Sequence, residues 1–358
     1  MEKPDAIELY TSYLICNPRM ATATGLSDVL DNQMKHDYIS DALNQPGLDG
    51  KAFWKEVKPF VRQVERDDSV LSIDDVIVAK PHSAENDIIC YHFDHTQGKS
   101  VKGMNIVNFM LTSHIDDQYV NCPVAYHIVE KTIKYLDAET GKQKRKSDRT
   151  KNEIVLEALH RLVKLNRVKF KHILFDVWFA ASPTLAYIHR KLGKHFVCPL
   201  KTNRLVALSK KDKLSGNFVT VSGISIESGT AQQVWVKGLD FPVTLTKQVF
   251  ENKDGSTAEQ WLITNDAGLD ADQISKTYQK RWKIEEMHKS LKQNTLLAKS
   301  PTKTEVSQSN HVFASMLAFV KLEKLKIKER LNHFAIKAKL HLKMVKVAME
   351  QVNDWSIA

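Results

Sequence analysis

Two aspartates interrupt a run that otherwise reads as a buried strand: LSIDDVIVAK at 71–80 sets Asp74 and Asp75 among Leu, Ile and Val. Farther along, KFKHILFDVWFAA at 169–181 reads as a short apolar strand ending in Asp176, followed by an aromatic pair. An ionised carboxylate on a core strand is costly unless it is paired, hydrogen-bonded or bound to metal. The chain must therefore fold so that these segments meet a cation. Capping a turn or a helix is the ordinary use of a residue such as Asp176. That use leaves the strand aspartates unexplained.

The pattern around these residues sets the fold class. Residues 5–67 read as short helices, broken at NPRM (17–20) and QPGLDG (45–50). From 69 the texture turns to strands: VLSIDDVIVAK, GMNIVNFMLTSH (103–114) and YVNCPVAYHIVEK (119–131). An amphipathic helix follows at about 149–166, then the strand ending at Asp176, a helix at 182–192 and the strand HFVCPLK (195–201). Between 203 and 264 the chain reads as strands again, with SGNFVTVSGISI, QQVWVKGL and a hairpin around Lys253-Asp254-Gly255. Strand and helix runs in this order indicate an α/β domain interrupted by a β-rich insertion.

After the insertion, QISKTYQKRWKIEEMHKSLKQ reads as a helix. At 100° per residue Tyr278, Arg281, Glu285 and Lys292 fall at roughly 0°, −60°, −20° and −40°, a single narrow stripe. Ile284, Met287 and Leu291 lie on a separate apolar face suited to a core. One carboxylate, two cations and a phenol suit a site that holds a metal beside a phosphodiester, the carboxylate taking the hard cation and the others the phosphate oxygens. A solvated charged face is the plain alternative. With Asp176 and one of Asp74 or Asp75, Glu285 completes three carboxylates from distant segments, a set suited to metal-assisted phosphoryl transfer.

Taken together, Asp75, Asp176 and Glu285 with the Y-x2-R-x3-E-x6-K spacing resemble the DDE transposases of bacterial insertion sequences, in particular the family named after insertion sequence four and its close relatives. The FDVWFA run, CPLKTNR (198–204) and WLITND ahead of the last helix add to the likeness, which spans about residues 35–300. The family pattern at the first aspartate is Asp-Thr or Asp-Asp-Thr, whereas this chain has Asp74-Asp75-Val76. Matching the second of the pair favours Asp75, yet neighbouring strand residues face opposite ways, so Asp74 stays open. The resemblance implies a ribonuclease H-like catalytic core at 69–202 and 265–300, an insertion at 203–264, a helical and possibly DNA-contacting N-terminal region at 1–68 and a basic helical region at 301–358. It implies two Mg²⁺ ions, with Mn²⁺ as a substitute, held by Asp75, Asp176 and Glu285. It also implies phosphate contacts from Tyr278, Arg281 and Lys292, with Lys201, Asn203 and Arg204 beside them. Trp261 would stack on a base flipped from the DNA end, although a strand tryptophan is more often core. The expected partners are double-stranded DNA, as terminal inverted repeats and target, and a second copy in a homodimer that cleaves in trans. A hairpin intermediate is compatible with this scheme. The rival expectations are a metal nuclease of the same fold without strand joining, and a relic that binds DNA without chemistry.

Composition agrees with a polyanion partner. The total charge is +10, and residues 1–68 hold 8 Lys and Arg against 12 Asp and Glu, a balance of −4 that leaves +14 for the rest. Basic residues concentrate at 131–151, read as a loop tip, and at 321–346, read as a basic helix, both suited to running along a DNA backbone. The N-terminus lacks a secretory pattern and no apolar run approaches the ~20 residues that span a bilayer, so a bacterial cytoplasmic location is expected. Cys16, Cys90, Cys122 and Cys198 have no paired spacing, which argues against a zinc knuckle or a disulfide framework. Tyr91-His92-Phe93-Asp94-His95 offers metal-ligand residue types without a second cluster to complete a zinc site. Phosphate-binding glycine loops and a Gly-x-Ser-x-Gly elbow are absent.

Overall fold

The computed structural model describes residues 5–95, 97–251 and 254–357. Four helices open the chain: α1 (Ala6–Cys16), α2 (Ala23–Val29), α3 (His36–Asn44) and α4 (Gly50–Val64). Several acidic residues of this segment serve the helices themselves. Asp5 accepts from the Ile7 amide at 2.9 Å, and Asp49 accepts from the Lys51 and Ala52 amides at 3.0 and 2.8 Å. A carboxylate there satisfies amides that the helix cannot and complements the positive end of its dipole.

The strands follow as β1 (Val70–Ala79), β2 (Cys90–Asp94), β3 (Lys99–Ile115), β4 (Gln118–Ile128), and a small hairpin of β5 (Ile133–Leu136) and β6 (Gln143–Lys146). Then come α5 (Lys151–His160), β7 (His172–Phe175), α6 (Ser182–Tyr187) and β8 (His195–Pro199). Both α5 and α6 run on into a wider turn, at 161–165 and 188–192. A capping box at Thr150 and Glu153 starts α5, and Gly193 in the left-handed region (φ 62°) ends the second helix. The rest comprises β9 (Leu205–Ala207), α7 (Lys210–Leu214), β10 (Val219–Thr220), β11 (Ala231–Val236), β12 (Val243–Glu251), β13 (Thr257–Thr264), α8 (Ala271–Gln279), α9 (Trp282–Asn294), α10 (Glu305–Glu329) and α11 (His333–Ile357).

One sheet runs β10-β9-β11-β12-β13-β8-β7-β1-β3-β2, with β4 also on β3. At its centre β1, β7 and β8 are parallel, while β1, β3 and β4 form an antiparallel meander. This mixed sheet with flanking helices is a ribonuclease H-like α/β fold. The 203–264 segment is rich in strands, as its sequence suggests, but it does not fold apart from the core. β13 pairs antiparallel with β8, through Leu262↔Pro199 and Ile263↔Cys198, and so extends the same sheet. Lys253 of the expected hairpin lies outside the described residues. The strands on either side, β12 and β13, pair antiparallel as that hairpin requires.

Two further expectations change. The basic stretch at 131–151 contains the β5–β6 hairpin rather than a bare loop. The basic stretch at 321–346 is not one surface helix. α10 ends at Arg330 in the left-handed region (φ 52°), and α11 starts beyond it. Much of α10 is core, with Phe313, Met316 and Phe319 buried against the main cluster. Its Ala314, Ala318 and Leu322 pack instead with Tyr10, Leu14 and Ile39 of the first helices. The N-terminal helices are thereby tied to the C-terminal ones.

Candidate active site

The candidate site draws Asp74 from the middle of β1, Asp176 from the end of β7 and Glu285 from α9. The register Ile73↔Phe175 puts Asp74 beside Asp176, just past the last pair of the parallel ladder. Loop side chains tie down the opposite, N-terminal ends of these strands. His172 Nε2 and Lys171 Nζ each lie 2.9 Å from Asp266 Oδ2, which ties β7 to the segment leading into α8. Asn265 Oδ1 accepts from the Phe196 amide at 2.8 Å, and its Nδ2 donates to the Lys194 carbonyl at 3.1 Å. Through these contacts the Asn-Asp of WLITND ties the starts of β7 and β8 to the end of β13.

Asp74 and Asp75 part company here. The Arg281 guanidinium lies 3.3 Å from Asp74 Oδ2 through one nitrogen and 2.7 Å from Glu285 Oε1 through the other. Asp75 Oδ2 accepts from Asn105 Nδ2 at 2.6 Å and Lys151 Nζ at 2.8 Å. Alternation along the strand explains the split, since adjacent side chains leave opposite faces of a sheet. Of the two candidates that the sequence left open, Asp74 is the one paired through Arg281 with Glu285. Burial raises the Asp74 carboxyl to about 7, against the pull of Arg281, with the Asp75 and Asp176 carboxylates pushing the same way as burial. A buried carboxyl with two acidic neighbours and one shared guanidinium is short of positive charge.

Asp176 caps the short turn Val177–Phe179, accepting from the Val177 amide. The capping use considered from sequence is thus real, and it leaves the other carboxylate oxygen for further contacts. On α9, His288 is buried, and Asn108 of β3 donates Nδ2 to its Nε2 at 3.1 Å. Burial holds that imidazole down at about 3, so it is neutral at ordinary pH.

The four residues expected on one helical stripe divide between two helices. α8 ends at Gln279 and α9 begins at Trp282, with tight turn bonds from the Arg281 amide to Tyr278 and from Ile284 to Arg281. Tyr278 is buried with Val70, Leu174, Val197, Leu262 and Ile274, and burial raises its phenol well above the usual range. It is a core residue whose ring centre lies 5.6 Å from the Arg281 guanidinium. Arg281 is directed at the carboxylates rather than free to receive phosphate. Burial lowers the Lys292 ammonium, against the attraction of Asp94.

The remaining expected contacts are scattered. Asn203 is exposed, and Arg204 donates to Ser182 Oγ at 2.7 Å. Lys201 Nζ lies 4.5 Å from the centre of the Trp178 ring. Trp261 is 3% exposed, its Nε1 has no hydrogen-bond partner among the described residues, and its carbonyl receives the Leu200 amide at 2.9 Å. Of the two readings of Trp261 from sequence, that burial favours the core one. Lys151 and Asn105, which donate hydrogen bonds to Asp75, do not stand out in the sequence, and only their strand and helix-start positions could have suggested them.

Comparison with known proteins adds an independent finding. The family described as DDE superfamily endonuclease matches residues 3–214, well over half of the chain and both aspartate segments. The chain belongs to this family. No individually curated protein matches it. An endonuclease of this family acts on DNA, with chemistry that depends on divalent metal. In this DDE-family chain the donor set at the β1–β7–α9 junction is all carboxylate oxygen, which is what a hard divalent ion takes. Among the described residues no three His, Cys, Asp or Glu side chains converge into a ready-made metal cage. Arg281, lodged between Asp74 and Glu285, accounts for that spacing. It supplies the positive charge there. No helix among the described residues is long and apolar enough to cross a membrane.

Proposed function

We propose that this DDE-family endonuclease is the transposase of a bacterial insertion sequence, with the YREK-type final helix of the family named after insertion sequence four. It cuts the element's ends and joins the freed 3′-hydroxyls to target DNA, with Asp74, Asp176 and Glu285 as its carboxylate triad. The observation that carries this reading is Arg281 bridging Asp74 and Glu285 beside Asp176, a single cation held by acidic residues from β1 and α9. Residues 69–202 and 265–300 serve as the catalytic core, 203–264 as an insertion that widens its sheet, and the two helical ends as support.

The side chains divide the work. Asp74 and Glu285 hold positive charge between β1 and α9, and Asp176 faces the same gap from the end of β7. Bound there, Mg²⁺ or Mn²⁺ would lower the pKa of an attacking water or 3′-hydroxyl and stabilise the leaving oxygen. Released from the carboxylates, Arg281 is placed to take the scissile phosphate, for which a planar guanidinium suits two oxygens at once. Lys292 and Lys201 supply further positive charge along the strand. Asp75, held by Lys151 and Asn105, fixes the position of β1 against α5.

Strand joining separates this reading from a plain nuclease. Supplied with pre-cut ends carrying 3′-hydroxyls, a target plasmid and Mg²⁺, the protein is expected to form covalently joined product that migrates above the free ends. Fragments without joined product would leave an endonuclease and remove the transposase.

A further inference from the structure

Arg281 has helical backbone angles where it leads into α9, so its face can be followed along the helix. At 100° per residue Arg281, Glu285, His288 and Lys292 lie at roughly 0°, 40°, −20° and 20°, which puts His288 within the charged face. It is nonetheless buried, against an Asn108 on β3 that is wholly enclosed. Asn108 is the cross-strand neighbour of Asp74 in the β1–β3 register. The bond from Asn108 Nδ2 to His288 Nε2, 3.1 Å long, therefore joins the neighbour of Asp74 to the residue one turn beyond Glu285. Asn108 Nδ2 also donates to the Ile106 carbonyl at 3.1 Å. A carbonyl only accepts, so this second bond fixes which way the amide points and makes His288 Nε2 the acceptor. The imidazole is then neutral, with its proton on Nδ1, in keeping with its burial.

Packing alone does not call for this pair. α9 already enters the core through Ile284, Met287 and Leu291, and two apolar side chains in place of a buried hydrogen-bonded pair can be nearly neutral for stability. Asn108 Oδ1 has no partner among the described residues, a cost that apolar packing would avoid. Apolar contacts are non-directional and let a helix turn or slide, whereas a hydrogen bond holds both a distance and an angle. We propose that His288 is a positioning residue for DNA cleavage: through Asn108 it fixes the rotation and height of α9 on the sheet, and so holds Glu285 opposite Asp74. The proposal rests on the assignment of Asp74 and Glu285 to the carboxylate triad and adds the pair that sets their spacing.

Single-turnover cleavage of a labelled DNA end in Mg²⁺, per folded molecule, would be measured on full-length protein, with end binding in Ca²⁺ and urea unfolding alongside. The variant carrying both Asn108→Leu and His288→Leu should unfold near the wild-type midpoint and bind the end within about twofold. It should cleave about 10²-fold more slowly, the scale expected when a reacting group is displaced by about 1 Å. His288→Ala and Asn108→Ala should each slow cleavage, and together no more than the slower of the two, because both break one contact. His288→Gln, whose Oε1 can accept from Asn108, should return cleavage to within about tenfold of wild type. Wild-type cleavage by the double Leu variant, additive losses from the two Ala changes, or a Gln variant as slow as Ala overturns the proposal. Asp74→Asn in the same assay keeps the two readings apart. If it is inactive while the double Leu variant cleaves at the wild-type rate, this inference alone fails. If it is active while the double Leu variant is slow, the triad assignment fails and the pair stands as the device that positions Glu285.

Discussion

Replacing Asp74 or Asp176 with Asn, or Glu285 with Gln, is expected to slow DNA cleavage in Mg²⁺ on the order of 10³-fold while end binding stays near wild type. Each amide keeps the size of its carboxyl and removes a charge needed to hold the cation, so the loss falls on the chemical step. Asp75→Asn is the informative companion. Asp75 is committed to Lys151 and Asn105, at 2.8 and 2.6 Å, and lies across the strand from Arg281. Its amide should retain activity within about tenfold. Cleavage rates from one labelled end, with binding by gel shift, give the comparison. A dead Asp75→Asn beside an active Asp74→Asn would reverse the assignment.

Trp261→Ala should cost about 3–5 kcal/mol of stability, the range for truncating a large aromatic in a packed core. Trp261 is buried on β13, the strand that joins the insertion to β8, and Leu262 beside it pairs with Pro199. Its indole nitrogen has no partner among the described residues, so the loss is one of packing and apolar area. The folded fraction should still cut DNA at close to the wild-type rate. Urea unfolding reports the first quantity and cleavage per folded molecule the second. Near-native stability with a block after the first nick, rescued by an unpaired base in the substrate, would restore Trp261 as a stacking residue.

The two tryptophans show what the sequence could and could not say. Both sit in apolar surroundings, and the pattern alone does not tell Trp261, buried on β13, from Trp178, turned outward where Asp176 caps a tight turn. The order of strands from 69 to 201 was legible, because apolar runs of strand length and a capped amphipathic helix are local signals. The short edge strand β2 was not, since its alternating Tyr91 and Phe93 face outward and read as a possible ligand cluster. For Asp74 and Asp75, alternation says that they face opposite ways but not which face meets α9. That depends on the parallel pairing with β7, a long-range contact. The helical character around Glu285 was legible, while the single stripe of four residues assumed an unbroken helix. The turn at Lys280–Arg281 instead lets Tyr278 drop into the core and leaves Arg281 and Glu285 paired across one turn of α9.

Convergence of Asp74, Asp176 and Glu285 on one divalent ion can be measured directly by iron-directed cleavage of the protein backbone. With Fe²⁺, ascorbate and peroxide at pH 8, above the Asp74 value of about 7, hydroxyl radicals cut the chain beside the bound ion. A triad of these three residues predicts fragments ending near 74, 176 and 285, suppressed by excess Mg²⁺, absent in Asp74→Asn and retained in Asp75→Asn. Cuts that survive in Asp74→Asn and vanish in Asp75→Asn, or that fall away from these three segments, would contradict it.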